Sequence, residues 1–202
     1  MRFSKTDLAR KLLIVSVGSI VSAYGITLAI GAGYGGATLA VLWQGVSRTF
    51  GISLGWASFA VAVIMIFFAL VYDIRQIQAG TVIYQILYSY FLDVFAALQR
   101  YTHWSAVNFL IMLTGVAVFA VGTGIYASAD FGRGSYEAVT FALADKNHWQ
   151  VKYVRMSLDA AVVAAGVCLG GKFGACTVCT VLMSGPIIQF TVKQMKKLLF
   201  TA

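Results

Sequence analysis

Four stretches of this chain, 12–32, 52–72, 104–129 and 173–192, run for at least 20 residues without a charged side chain. A helix rises about 1.5 Å per residue, so each stretch is long enough to cross the roughly 30 Å hydrocarbon core of a bilayer. Composition leaves little alternative. The chain is 60% hydrophobic and only 11% charged, with a mean hydropathy of +0.84. A soluble domain carries about 25% charged residues, because its surface must face water. Two further segments span if each buries polar groups: 77–98, which contains Asp93, and 151–171, which carries Lys152, Arg155 and Asp159 in its first half. The expected fold is therefore an all-α polytopic membrane protein with six transmembrane helices. The first apolar run exceeds a signal-peptide core and no A-x-A-like site follows it, so it reads as a retained span.

Basic residues set the orientation. With the N-terminus in the cytoplasm, the inner segments hold Arg2, Lys5, Arg10, Lys11, Arg75, Arg133, Lys146, Lys152, Arg155, Lys193, Lys196 and Lys197, and the outer segments only Arg48, Arg100 and Lys172. This positive-inside bias places both termini in the cytoplasm. It also accounts for the net charge of +8 through topology and anionic lipid, so no nucleic-acid partner is called for.

The chain resembles itself. A shift of 97 sets Gly25 on Gly122 and Gly35 on Gly132, and a shift of 96 sets Thr81 on Thr177 and Asp93 on Gln189. Each half reads as span, short segment led by glycine, span, span. The first repeat occupies 1–98 (spans 12–32, 52–72 and 77–98, short helix 36–48). A linker over 99–103 leads to the second at 104–202 (spans 104–129, 151–171 and 173–192, short helix 134–146). Three spans per half is odd, so the second half enters the membrane from the opposite side: an inverted-topology repeat, the construction of many secondary transporters.

Gly31-x-Gly33-x-x-Gly36 has the letters of a dinucleotide-binding fingerprint, which means phosphate binding only between a strand and a helix. Here it ends a hydrophobic span, and it has a twin at 132–134. The segments after both turns are too short to cross, so they read as re-entrant or interfacial helices. Gly33, Gly35, Gly36, Gly132 and Gly134 either line a cavity at matching positions of the two halves or simply let helices pack closely.

Ionisable groups within a bilayer are functional candidates by default. Arg155 and Asp159, four apart on one helix face, can pair with each other, or Arg155 can reach for the interface. Their counterparts in the first half are Ser58 and Ala62, which makes the halves chemically unequal. Asp93 reads as a proton or cation carrier or as a wet rim residue. Glu137 and Arg133 belong to the second glycine turn, where a carboxylate also suits the first turn of a helix. Tyr84 and Tyr88, with Gln85 beside them, form an aromatic stripe that can face a solute or a neighbouring helix. Trp43, Trp56, Trp104 and Trp149 are expected near the interfaces.

Cys168, Cys176 and Cys179 read as packing residues. His103 and His148 fall on opposite sides, so no metal site is expected. No cofactor motif and no catalytic constellation is visible, and an enzyme is not expected.

The segments "GTGIYASADFGRGSYEAVTFALA" and "VRMSLDAAVVAAGVCLGGKFGACTVCTVLMSGPI" resemble the second half of the YczE/YitT-like family of bacterial integral membrane proteins. The family's G-x-G-x-Y span end matches Gly122, Gly124 and Tyr126. Its Arg-x-x-x-acid pair matches Arg155 and Asp159, its GG-x-x-G-x-x-T bend Gly170, Gly171, Gly174 and Thr177, and its Gly-Pro Gly185 and Pro186. The likeness covers most of the chain and is looser in the first half. Thr38 and Ser135 stand where proline is common, and Glu137 where aspartate is usual. The resemblance implies a multi-pass protein of the bacterial cytoplasmic membrane, a presumed transporter. The resulting expectation is a carrier of a small polar or amphipathic solute by alternating access at the repeat interface, with protons as a candidate coupling ion. The competing expectation is a non-transporting subunit that captures solute or regulates another membrane protein. A membrane-protein partner or a homo-oligomer stays open.

Overall fold

The computed structural model describes residues 5–98 and 105–200; Arg2, Arg100, His103, Trp104 and the linker 99–103 lie outside them. Among the described residues there are eight α-helices and no strand: α1 (Lys5–Gly31), α2 (Thr38–Phe50), α3 (Leu54–Tyr72), α4 (Ala79–Leu98), α5 (Ser105–Ser128), α6 (Ser135–Asn147), α7 (Val151–Cys168) and α8 (Ala175–Phe200). Five of them, α1, α3, α4, α5 and α8, are long and apolar enough to cross a membrane. The sixth expected span, α7, is 18 residues long with Lys152, Arg155 and Asp159 inside it, and is not among these five. The glycine fingerprint has a helix before it, not a strand, so the geometry a dinucleotide needs is lacking.

Lipid offers no hydrophobic gain for helix association, so close packing between small residues has to hold membrane helices together. The α1–α5 pair meets this requirement. A methyl group on Gly18 would stand 2.5 Å from the Tyr126 nitrogen, one on Gly25 2.8 Å from the Gly115 carbonyl oxygen, one on Gly122 2.6 Å from Ser22 Oγ, and one on Gly115 2.6 Å from the Ala29 nitrogen. Contacts climb α1 as they descend α5, so the two helices run antiparallel. Hydroxyls within this pair bond back to their own helices, as buried Ser19 does to Val15 and half-buried Thr123 to Phe119. That satisfies each donor without water.

Around this crossing the other helices pack in matched pairs. α4 lies on α1 and α8 on α5; α2 packs on α7 and α6 on α3; α2 touches α3 and α6 touches α7. Exchanging α1–α4 with α5–α8 maps most of the packed pairs onto one another, with two breaks: α3 packs on α4, but α7 and α8 do not pack as a pair, and α2 touches α8, but α6 and α4 do not pack as a pair. The short helices also match, each 13 residues long and closed by a left-handed residue, Gly51 or His148.

Candidate functional site

The two glycine turns are built alike. Gly35 and Gly132 both have positive φ (93° and 123°), a conformation that costs other residues strain. Each turn is latched by a threonine of the opposite half. Thr177 Oγ1 on α8 donates to the Gly36 carbonyl at 2.6 Å, and Thr81 Oγ1 on α4 donates to the Arg133 carbonyl at 2.6 Å. The same hydroxyls accept the N–H groups of Gly174 (3.3 Å) and Gln78 (3.4 Å). The threonine pairing is visible in the sequence; its partners are not, because they lie in the other half of the chain.

Beyond the latches the turns differ. The first is sewn to the α7–α8 connection through backbone: Gly36 N–H donates to Lys172 O (3.0 Å) and Cys176 N–H to Tyr34 O (2.9 Å). Gln44 on α2 accepts the Lys172 N–H at 3.0 Å, and Arg48 donates to Gly170 O at 2.6 Å. Gly33 and Gly35 line an open surface depression with Lys172, Phe173 and Gly174, while Gly36 packs under Gln44.

The second turn faces side chains. Tyr126 donates to the Gly132 carbonyl at 3.0 Å and stacks on Tyr84 at 4.1 Å. Tyr84 stacks on Tyr88 at 5.3 Å, and Tyr88 meets the edge of Trp43 at 5.8 Å. Glu137 sits in the first turn of α6, its carboxylate folded against Gly134, two residues from the Gly132 carbonyl that Tyr126 holds. Arg133, exposed, stacks its guanidinium over Phe141 at 3.5 Å. Trp43, expected at an interface, is 6% exposed inside the core, whereas Trp56 and Trp149 are 65% and 62% exposed.

Arg155 and Asp159 do not pair with each other. Arg155 Nη1 lies 3.9 Å from Glu137 Oε1, and Asp159 accepts the Tyr136 hydroxyl at 2.7 Å. A partner on α6 displaces the intrahelical one because α6 packs against α7 with Tyr136 and Glu137 turned toward it. These two α7 residues stand where the first half has Ser58 and Ala62, both buried. Ser58 there closes the α3–α4 contact with Gln85, which donates to Ser58 at 3.3 Å and Ser89 at 2.8 Å. In the second half nothing closes the equivalent gap. Arg155 is half-exposed, and a methyl group at Gly185, the counterpart of Ser89, would meet nothing within 4 Å.

Asp93 is elsewhere. It accepts the Gly55 N–H at 2.7 Å and the Ser53 hydroxyl, capping the start of α3. Twelve residues along α4 from Thr81, it stands roughly 18 Å from the second turn at helical rise. Asp93→Ala is expected to lower the melting temperature by the equivalent of about 0.5–2 kcal/mol, the usual cost of losing a helix cap, with solute binding intact. Loss of binding at unchanged stability would instead return Asp93 to the site.

No group of three His, Cys, Asp or Glu among the described residues is placed to hold a metal, and Cys168, Cys176 and Cys179 are free thiols.

Residues 9–193 match a protein family described as of unknown function, DUF6198. The chain belongs to this family. It is 25% identical over 200 residues to the uncharacterized membrane protein YczE of Bacillus subtilis (strain 168), an alignment covering 96% of this chain and 91% of that protein. It is also 26% identical over 161 residues to an uncharacterized protein of Haemophilus influenzae, covering 79% of this chain and 72% of the relative. No solved structure matches. The likeness to YczE-type membrane proteins carried by the glycine turns and the Arg155–Asp159 motif thus extends over nearly the whole chain.

Proposed function

We propose that this protein carries a small polar or amphipathic solute across the bacterial cytoplasmic membrane by alternating access between two inverted repeats, 1–98 and 104–202, with both termini cytoplasmic. In this reading α7 is the sixth span. Its 18 residues rise about 27 Å, and Tyr136 and Glu137 hold two of its charged groups against α6.

One observation carries the reading. Most packed helix pairs have a counterpart in the other half, with equivalent helices α1 and α5 antiparallel, yet α3 packs on α4 while α7 and α8 do not pack as a pair. A two-fold arrangement caught in one of two unequal states is what alternating access around a shared site requires. The parted side carries Arg155, Asp159 and the Glu137 carboxylate, groups that would be costly to keep beside lipid unless a solute or water used them.

Spin-label pairs test this. Labels at the exposed positions Ser157 and Leu182 report the α7–α8 gap, and their counterparts Ala60 and Ile86 report α3–α4. Conditions that shorten the first distance are expected to lengthen the second; two fixed, unresponsive distances would sink the proposal. In liposomes, Asp159→Asn and Gly185→Leu are expected to abolish flux with the melting temperature unchanged, the latter by wedging the α7–α8 gap open. Binding without flux until a second membrane protein is added would instead assign the chain as a capture subunit.

A further inference from the structure

Among the described residues, two polar groups in the core, on Trp43 and Tyr88, have no hydrogen-bond partner. Trp43 Nε1 and the Tyr88 hydroxyl are both buried without a hydrogen bond, their residues 6% and 2% exposed. Their rings touch edge to face at 5.8 Å, so the two orphan groups share one neighbourhood, between α2 and α4. An unmade hydrogen bond at such depth is costly. The indole N–H can only donate, so what it lacks is an acceptor. Neighbouring hydroxyls are otherwise engaged: Ser58 and Ser89 with Gln85, Thr81 with Arg133, Tyr126 with Gly132. The opposite requirement stands beside them. Tyr84, Tyr88 and Tyr126 form an aromatic stack that ends at the second turn, where Tyr126 donates to the Gly132 carbonyl and the Glu137 carboxylate folds against Gly134, electron-rich surroundings that favour a cation. The cation nearest Glu137, Arg155, is held loosely at 3.9 Å on the parted side.

We propose that Trp43, Tyr88, Tyr84 and Glu137 form the solute site, and that it takes a small zwitterion: a carboxylate accepts hydrogen bonds from Trp43 Nε1 and the Tyr88 hydroxyl, and an ammonium group lies toward the tyrosine faces and Glu137. The solute enters from the α7–α8 side by competing with Arg155 for Glu137. A zwitterion carries both complementary charges and no net charge into the bilayer. This rests on the transport reading and names its substrate class.

Binding in detergent tests the site independently of transport. Trimethylglycine and the neutral L-amino acids serve as zwitterion probes, choline as a cation without the carboxylate, and propionate as a carboxylate without the cation, all by titration calorimetry. At least one zwitterion is expected to bind more tightly than both choline and propionate. Tyr88→Phe and Trp43→Phe remove the donors and keep an aromatic ring at each position, and each is expected to weaken that binding roughly tenfold or more, the loss of a hydrogen bond to a charged acceptor, with a smaller effect on choline than on the zwitterion. If no zwitterion binds, or if both variants bind it as the parent does, the inference is overturned. A rise in melting temperature with unchanged binding would mark the orphan pair as a packing defect. Reciprocal α3–α4 and α7–α8 distances would survive either failure, so failure of the site and failure of alternating access are distinguishable.

Discussion

Gly25→Leu is expected to leave no correctly folded protein. A first methyl group at Gly25 already falls on the backbone of Phe119 and 2.8 Å from the Gly115 carbonyl oxygen, and backbone cannot step aside as a flexible side chain can. Overpacking a core costs typically about 1–3 kcal/mol; here the collision falls on the crossing that joins the two halves. The α1–α5 pair must separate, and every pair built on it, α1–α4 and α5–α8 included, loses its support. Gly122→Leu, the counterpart against Ser22, is expected to fail in the same way, whereas Gly185→Leu enters open space and folds. Fluorescence-detected size exclusion in detergent separates these outcomes: a monodisperse Gly25→Leu peak with the parent's melting temperature would refute the antiparallel crossing.

The second large effect concerns the threonine latches. Thr81→Val and Thr177→Val keep side-chain shape and remove the hydroxyl, leaving a turn carbonyl, Arg133 or Gly36, without its donor. Each is expected to cost about 1–3 kcal/mol, the penalty for an unsatisfied buried group. Thr81→Ser and Thr177→Ser, which retain the hydroxyl, are expected to recover most of it. Because both bonds are 2.6 Å long and link opposite halves, the two valine variants are expected to lose similar stability, and the double variant to lose close to the sum. Thermal unfolding of the four single variants and the double decides the matter. A valine variant as stable as the parent would show that the latch does not hold its turn.

Helical membrane character was legible in the sequence because it depends on local sums: twenty apolar residues in a row need no knowledge of their neighbours to be driven into lipid. The glycine turns were legible for a related reason, since a positive φ at Gly35 and Gly132 restricts residue choice at the position itself. Side-chain partnership behaved differently. Spacing alone put Arg155 with Asp159, but α6 arrives with Tyr136 and Glu137 and takes both. Asp93 looked like a charge stranded in a span until Ser53 and Gly55 met it from α3. Trp43 had the composition of a belt residue and is in the core beside Tyr88.

The sequence by itself determined that this chain is helical, lives in a membrane, and breaks its helices at two glycine turns, because hydrophobic length and backbone permissiveness are properties of short stretches. Tertiary structure alone decided that α1 and α5 cross antiparallel through their glycines, that each turn is held by a threonine 52 or 141 residues away in the other half, and that α7 and α8 stand apart while α3 and α4 close. Those outcomes depend on which surfaces meet once the helices are formed, and a contact between distant residues leaves no periodicity in the chain to read.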